Sequence, residues 1–360
     1  MGATLTSAGR CTAVHESSWP VLDCDAYGYL PTQSSAWMRA RATLVRDGEE
    51  LRWFAEEDAN GNPLALLPLV KVEGWWRELP LMFEPSDLVW QNESALGRLV
   101  QQLARQPWPV RLDRVPSTSP TVSAFREAFR GRGMVRYVHA MPTPFVNLVP
   151  CHADPESSMS SRRRSDMRRA ERKASQLGQV TYEVRIPSDE LDAARMLSEA
   201  LDVESRSWKH DEGTALTSNQ PQGGFFADFA RLALRSNMLR FAFMRIDGKA
   251  VAMQIALEWG QRFWLLKISH DESVSVCSPG QLLIRHTMLQ AAHSGLLSYE
   301  FMGGMAPWTE LWTSEVRDYV TLLAVPWSLA SLPVMARMAA ARIKQRVRQW
   351  NRSPKEAAHG

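Results

Sequence analysis

The stretch 239–269 constrains the fold more tightly than any other part of the chain. Two β-rich runs, Leu239–Ile246 and Lys249–Trp259, flank Asp247-Gly248, a dipeptide suited to a two-residue hairpin turn because both positions tolerate positive φ. Gly260 then turns the chain into a third run, 261–269. Together they predict a three-stranded antiparallel meander. Ser278-Pro279-Gly280 next opens a helical run over 281–294, with Ile284, Met288, Ala291 and Ala292 on one face. A last strand, 298–302, ends at Gly303-Gly304.

Upstream of the meander the pattern predicts a helix over 160–177, a strand over 180–186, a helix over 191–208, a polar loop and a helix over 225–236. The N-terminal half reads as strands 51–56 and 63–71 around the turn Asn60-Gly61-Asn62-Pro63, then helix 94–106, strand 110–115 and helix 121–130. Both halves are therefore of mixed α/β type with a mixed sheet. Pro142, Pro144 and Pro150 cluster in 141–151 and resist helix and central strand, which places a domain junction near residue 150. A chain of 360 residues exceeds the usual size of one hydrophobic core and suggests two.

A formal net charge of +3 is too small for nucleic-acid binding by the whole surface. Cys11, Cys24, Cys151 and Cys277 form no CxxC pair and no metal spacing with histidine, so reduced thiols and no metal site are expected. The start of the chain lacks the apolar core of a secretory signal; its short match to a myristoylation pattern is of a kind that arises by chance. No run of about 18 apolar residues predicts a membrane span. The expected location is the cytoplasm.

The loop-to-helix step at Ser278-Pro279-Gly280 carries a chemical hint. The first N–H groups of a helix have no partner within it, and the helix dipole adds partial positive charge there, so a helix start accepts phosphate. Gly280 permits close approach and Pro279 stiffens the entry, although the same triplet also serves as an ordinary cap.

Several fragments, in order, resemble the FemAB/CelD-like branch of the GNAT acyltransferase superfamily. Trp208-Lys209 with Gly213-Thr214-Ala215 resembles its "sWK…GtA" segment, and residues 239–252 resemble its hairpin. Lys267-Ile268-Ser269-His270-Asp271-Glu272 is similar to its "K-x-x-y-D-E" strand end, and Ser278-Pro279-Gly280-Gln281-Leu282-Leu283 to its "sPGxLL" helix start. Tyr299-Glu300-Phe301-Met302-Gly303-Gly304 resembles "yDFlgg", and Trp308 with Leu311-Trp312-Thr313 its "wKxxWt" tail. The resemblance spans about 160–325. The chain departs from the pattern at Glu300 (Asp in the family), Thr309 (Lys) and His270 (Tyr), and the glycine pair of the pyrophosphate loop is reduced to Gly280.

The resemblance implies two tandem GNAT-like units, 1–150 (degenerate) and 151–327, followed by a basic C-terminal helix and tail, 328–360. It implies transfer of an acyl group, chiefly acetyl, from an acyl-CoA co-substrate to an amine acceptor, such as a sugar, cell-envelope or exopolysaccharide precursor. The thioester would lie between splayed strands 261–269 and 298–302, where a backbone N–H polarises its carbonyl. The pyrophosphate would rest on Ser278, Pro279, Gly280, Gln281 and Leu282. Trp208, Lys209, Lys267 and Trp308 would line the acceptor pocket. Candidate bases are His270, whose side-chain type suits proton transfer near neutrality, Asp271, Glu272 and Glu300. Against these roles, Asp271 can close an Asx turn, and Glu300 on an apolar strand needs a partner, for which Lys267 is the candidate.

Two basic clusters stand apart. Arg162, Arg163, Arg164, Arg168, Arg169, Arg172 and Lys173 crowd one helix, which is either a solvated face or a contact for CoA phosphates or, as in FemAB relatives, for tRNA. Arg337, Arg342, Lys344, Arg346, Arg348 and Arg352 accompany apolar residues in a C-terminal helix. That helix is expected to dock on the body of the protein, with a partner or an anionic membrane face as alternatives. Two further readings are a tRNA-dependent aminoacyl transferase and a non-catalytic GNAT-like partner in polysaccharide assembly.

Overall fold

The computed structural model describes residues 29–80, 84–148, 156–157, 159–207 and 220–341. Trp208, Lys209, Gly213, Cys11, Cys24, Cys151 and the tail from 342 lie outside the described residues.

The N-terminal half comprises α1 (Ser35–Ala42), β1 (Glu50–Glu57), β2 (Pro63–Val72), β3 (Trp75–Glu78), β4 (Val89–Trp90), α2 (Glu93–Arg105), β5 (Val110–Pro116), α3 (Pro120–Ala128) and β6 (Gly133–Asn147). The C-terminal half adds α4 (Ser161–Leu177), β7 (Val180–Arg185), α5 (Glu190–Ser205), α6 (Gln220–Leu232), β8 (Leu239–Ile246), β9 (Lys249–Trp259), β10 (Arg262–His270), α7 (Pro279–His293), β11 (Ser298–Phe301) and β12 (Val316–Pro326). A further helix, α8, covers 332–341.

The twelve strands of the described residues join one sheet in the order β1-β2-β3-β5-β12-β6-β11-β10-β9-β8-β7, with β4 paired to β2. The pairs β3/β5 and β10/β11 are parallel and the others antiparallel, so the sheet is mixed. The predicted meander is β8-β9-β10. Asp247 (φ 49°) and Gly248 (φ 79°) both take positive φ in its first turn, as a two-residue hairpin with the twist of its strands requires.

Local chemistry fixes the helix starts. Asn92 caps α2 by accepting from Ala95 N at 2.9 Å, and the apolar face of that helix (Leu96, Leu99, Val100, Leu103) packs on β1, β2 and β5. Helices α5 and α6 cover one face of β8–β10, together with α1, whose Trp37 sits edge-on to Phe225 and Phe229 at 5.0 Å. Helices α4 and α7 cover the other face through Met167, Ala174, Leu283 and Met288.

Two elements depart from the sequence reading, and the C-terminal helix follows it. β6 runs straight through Pro142 and Pro144 in the middle of the sheet. Its ladder with β11 begins only at Phe145, and its register against β12 shifts between Ala140 and Thr143. The prolines thus fall at an irregularity where β11 asks for no N–H donor. β11 is not the last strand, because β12 follows and inserts between β5 and β6. The C-terminal helix docks on the N-terminal half: Val334 is buried, and Arg337 Nη2 donates to Glu73 O at 3.0 Å.

Candidate active site

β10 and β11 run parallel over the pairs Arg262↔Ser298 to Leu265↔Phe301 and then separate. β10 continues to His270, while the chain after Phe301 turns away through Gly303-Gly304. At the same level the register of β10 against β9 shifts between Leu265 and Lys267, leaving Leu266 as a bulge. The strands are therefore parted beyond residue 265, next to the start of α7.

Ser278 caps α7 with a left-handed backbone (φ 49°, ψ 54°) and makes no side-chain cap bond; Pro279 follows as the first helical residue. A left-handed non-glycine residue is uncommon, and such strain concentrates at functional turns. A cleft of about 310 Å³ opens between the end of β10 and this helix start, lined by Ile268, Ser269, His270, Ser275, Ser278, Gly280, Gln281, Ile284 and Trp308. Gly280 faces β10, since a Cβ there would stand 3.6 Å from His270 Nδ1 and 3.7 Å from Ile268 Cδ1. Gln281 ties the C-terminal tail to the helix: its Nε2 donates to Trp308 O at 3.2 Å, and its Oε1 accepts from Trp312 Nε1 at 2.7 Å. The Ser269 hydroxyl is buried with no hydrogen-bond partner among the described residues, leaving a polar group at the cleft with unused capacity.

The predicted site residues divide accordingly. Ser278, Gly280, Gln281, His270 and Trp308 meet at the cleft. Pro279 is buried in the helix start and does not line it. Leu282 is 2% exposed, belongs to the core beneath α7, and its N–H already donates to Ser278 O at 3.2 Å.

Asp271 is a structural anchor and not a free base. It accepts from Ser273 N and Oγ, from Arg206 Nε at 2.7 Å and from Lys249 Nζ at 3.3 Å. Burial pushes its pKa up, but the bonds from Ser273, Arg206 and Lys249 outweigh it and hold the pKa down at about 2. His270 Nε2 lies 3.6 Å from Glu272 Oε1.

The expected Glu300–Lys267 pair does not form. Lys267 Nζ reaches the buried Glu204 on α5, 2.8 Å away, and Lys267 does not line the cleft. Glu300 instead takes a fork from Arg317, at 2.8 Å (Nε–Oε2) and 2.6 Å (Nη2–Oε1), and accepts from Ser298 Oγ at 2.6 Å. Its neighbours Tyr299 and Phe301 belong to the α7-side core, whereas Glu300 lies opposite Trp264, a member of the α5/α6-side core. Glu300 thus faces away from the cleft. Sequence reasoning missed Arg317 because it stands on a strand that was not foreseen.

The basic face of α4 flanks the same region. Lys173 Nζ donates to Val276 O at 3.2 Å and Arg163 Nη1 to Leu311 O at 3.3 Å, while Arg162, Arg168, Arg169 and Arg172 are exposed. Among the described residues no cluster of metal-ligating side chains occurs and no helix is long and apolar enough to cross a membrane. Cys277, the described cysteine, is a buried free thiol.

Residues 161–310 match the family described as acetyltransferase (GNAT) domain. No curated protein matches the sequence. Among solved structures, FemX is similar over 84% of this chain and 94% of its own, at 11% identity and a TM-score of 0.57. A conserved protein of unknown function from Bacteroides thetaiotaomicron covers 81% and 89%, at 10% identity and a TM-score of 0.54. The C-terminal domain of a proposed lysylphosphatidylglycerol synthetase from Agrobacterium fabrum covers 83% and 92%, at 14% identity and a TM-score of 0.50. At these identities the likeness is one of fold. Residues 161–310, which hold the parallel pair parting beside a helix start, therefore form a GNAT-type domain.

Proposed function

We propose that the protein is an N-acyltransferase of the FemAB/CelD-like kind, moving an acetyl or other acyl group from acyl-CoA to an amine on a sugar, exopolysaccharide or cell-envelope precursor in the cytoplasm. The observation that carries this reading is the cleft between the parted end of β10 and the start of α7. Residues 151–327 form the catalytic unit in this reading and 1–150 a degenerate one, with β12 lent by the former to the sheet of the latter.

The diphosphate of the co-substrate rests at this helix start, on the N–H of Gly280 with the Ser278 hydroxyl beside it, while the N–H of Gln281 closes the first turn onto Ser278 O at 3.0 Å. The thioester enters the gap beyond Leu265, where the chain around the Leu266 bulge offers a backbone donor to its carbonyl oxygen. The amine attacks the carbonyl carbon directly, its proton passes to His270, the C–S bond breaks, and the departing CoA thiolate takes that proton to leave as the thiol. Holding both substrates supplies most of the acceleration. Glu300 takes no part in this scheme, because it lies on the opposite face of the sheet and is engaged by the Arg317 fork.

The exposed arginines of α4 support a phosphate-rich ligand at this edge, which also fits the second reading, a tRNA-borne aminoacyl donor. Calorimetry separates the two. Acetyl-CoA is expected to bind the wild type and not Gly280→Trp, whose indole would fill the space before His270 and Ile268. Absence of acetyl-CoA binding with steeply salt-dependent tRNA binding would favour the second reading.

A further inference from the structure

On the opposite side of the sheet from the cleft, Arg114 is 6% exposed, and none of its Nε, Nη1 and Nη2 has a hydrogen-bond partner among the described residues. A guanidinium offers five N–H donors and stays charged, so burying it without partners is costly and rare. The backbone shares the strain. Arg114 has φ 55° and sits where the register of β5 against β12 shifts between Val320 and Leu322. That bulge turns the side chain out of the regular in-and-out alternation of the strand.

The surroundings are cationic. The Arg114 guanidinium lies 5.3 Å from the centre of the Tyr319 ring, whose hydroxyl shares a hydrogen with Thr143 Oγ1 at 3.1 Å. Arg317 and Arg262 converge on the same tyrosine from β12 and β10 and share the single carboxylate of Glu300, at 2.6 and 3.9 Å. Burial and the nearness of Arg317 both lower the pKa of Arg262, as expected where guanidiniums crowd together. Glu84 is within electrostatic reach of Arg114 but forms no ion pair with it; burial pushes that carboxyl up to about 7. Three guanidiniums therefore gather at the seam between the two halves, where Glu300 pairs with Arg317 and Arg262, while Glu84 acts on Arg114 and Glu315 on Arg317 only at longer range.

We infer that Arg114, with Arg262 and Arg317 at its flank, forms an oxyanion-binding site for a small molecule carrying a phosphate or carboxylate group. A forked donor set buried beside an aromatic ring recognises such groups bidentately. The site is distinct from the acyl-CoA cleft and does not depend on it.

The test is thermal unfolding and calorimetry with pyrophosphate and, separately, succinate, each against sodium chloride of equal ionic strength, on wild type and Arg114→Met. At least one of the two anions raises the melting temperature of the wild type, and which one tells phosphate from carboxylate. Arg114→Met binds that anion about tenfold to a hundredfold more weakly, melts higher than the wild type without ligand, and keeps its acetyl-CoA affinity. The wild-type comparison stands alone should the variant not fold. No rise in wild type with either anion, or an equal rise in the variant, overturns the proposal. Loss of acetyl-CoA binding in the wild type would count against the acyltransferase reading and leave this site untouched.

Discussion

Arg317 and Glu300 meet as a fork, two guanidinium nitrogens on two carboxylate oxygens, with Glu300 buried and the Arg317 side chain 30% exposed. The asymmetry orders two substitutions. Arg317→Met strips the buried carboxylate of its main partner and is expected to cost about 3 kcal/mol or more. Glu300→Gln leaves the charge on the more exposed member and should cost clearly less. Urea unfolding of both variants checks the order; equal losses would show that the pair is not the reason Glu300 tolerates burial.

Asp271 makes stability depend on acid in a defined window. Its folded pKa of about 2 lies below the value of about 3.9 for an unfolded aspartate. The contribution is therefore complete above the unfolded value and disappears as pH falls through the folded one. Asp271→Asn should be less stable than wild type at neutral pH, with the gap closing between about pH 4 and 2. Melting curves at successive pH values would read this directly, and a gap that widens in acid would contradict it.

His270 and Ser269 act on different quantities in the proposed reaction. Removing a base reduces turnover by about 10²–10⁴-fold, so His270→Ala should lower kcat by that order and leave acetyl-CoA binding nearly unchanged. Ser269→Ala removes a buried hydroxyl that has no partner among the described residues, and so should not destabilise the fold. If the hydroxyl contacts the acyl donor, KM for acetyl-CoA rises; an unchanged KM would exclude that contact. Steady-state kinetics on both variants, beside a melting curve, decides the matter.

Gly133 opens β6 where it meets the end of β12. A Cβ there would stand 2.4 Å from Val325 O and 2.8 Å from Pro326 Cα, both backbone atoms. Gly133→Ala is therefore expected to destabilise by about 1–3 kcal/mol, the usual cost of forcing atoms into a packed site. By contrast Gly97, in the middle of α2 with open space at its Cβ, should gain up to about 1 kcal/mol on change to Ala. Opposite signs in one set of denaturation curves would bear out both.

The comparison of sequence and fold follows the range of the interactions. Asp247-Gly248 and the apolar spacing of α2 and α7 act within a few residues, and the hairpin and helices were legible from them. β12 was not, because its partners lie at 110–116 and 133–144, roughly two hundred residues upstream, and its mixed burial has no strict alternation. The prolines of β6 misled because their harmlessness depends on where β11 begins. At the cleft, the helix start was readable, whereas the pairing of Lys267 with Glu204 and of Glu300 with Arg317 needed the packed structure. The unpaired state of Arg114 had no local sign at all.

Because β12 lies between β5 and β6, the centre of the sheet has an order of assembly imposed by protein synthesis. On the ribosome, β5 and β6 emerge long before 316–326, and until then each has an unfilled ladder that invites pairing with a neighbouring chain. The N-terminal strands must wait for a segment made nearly two hundred residues later, so nascent protein is most exposed to aggregation in that interval, and a break in translation before residue 316 would leave β5 and β6 without the strand that joins them.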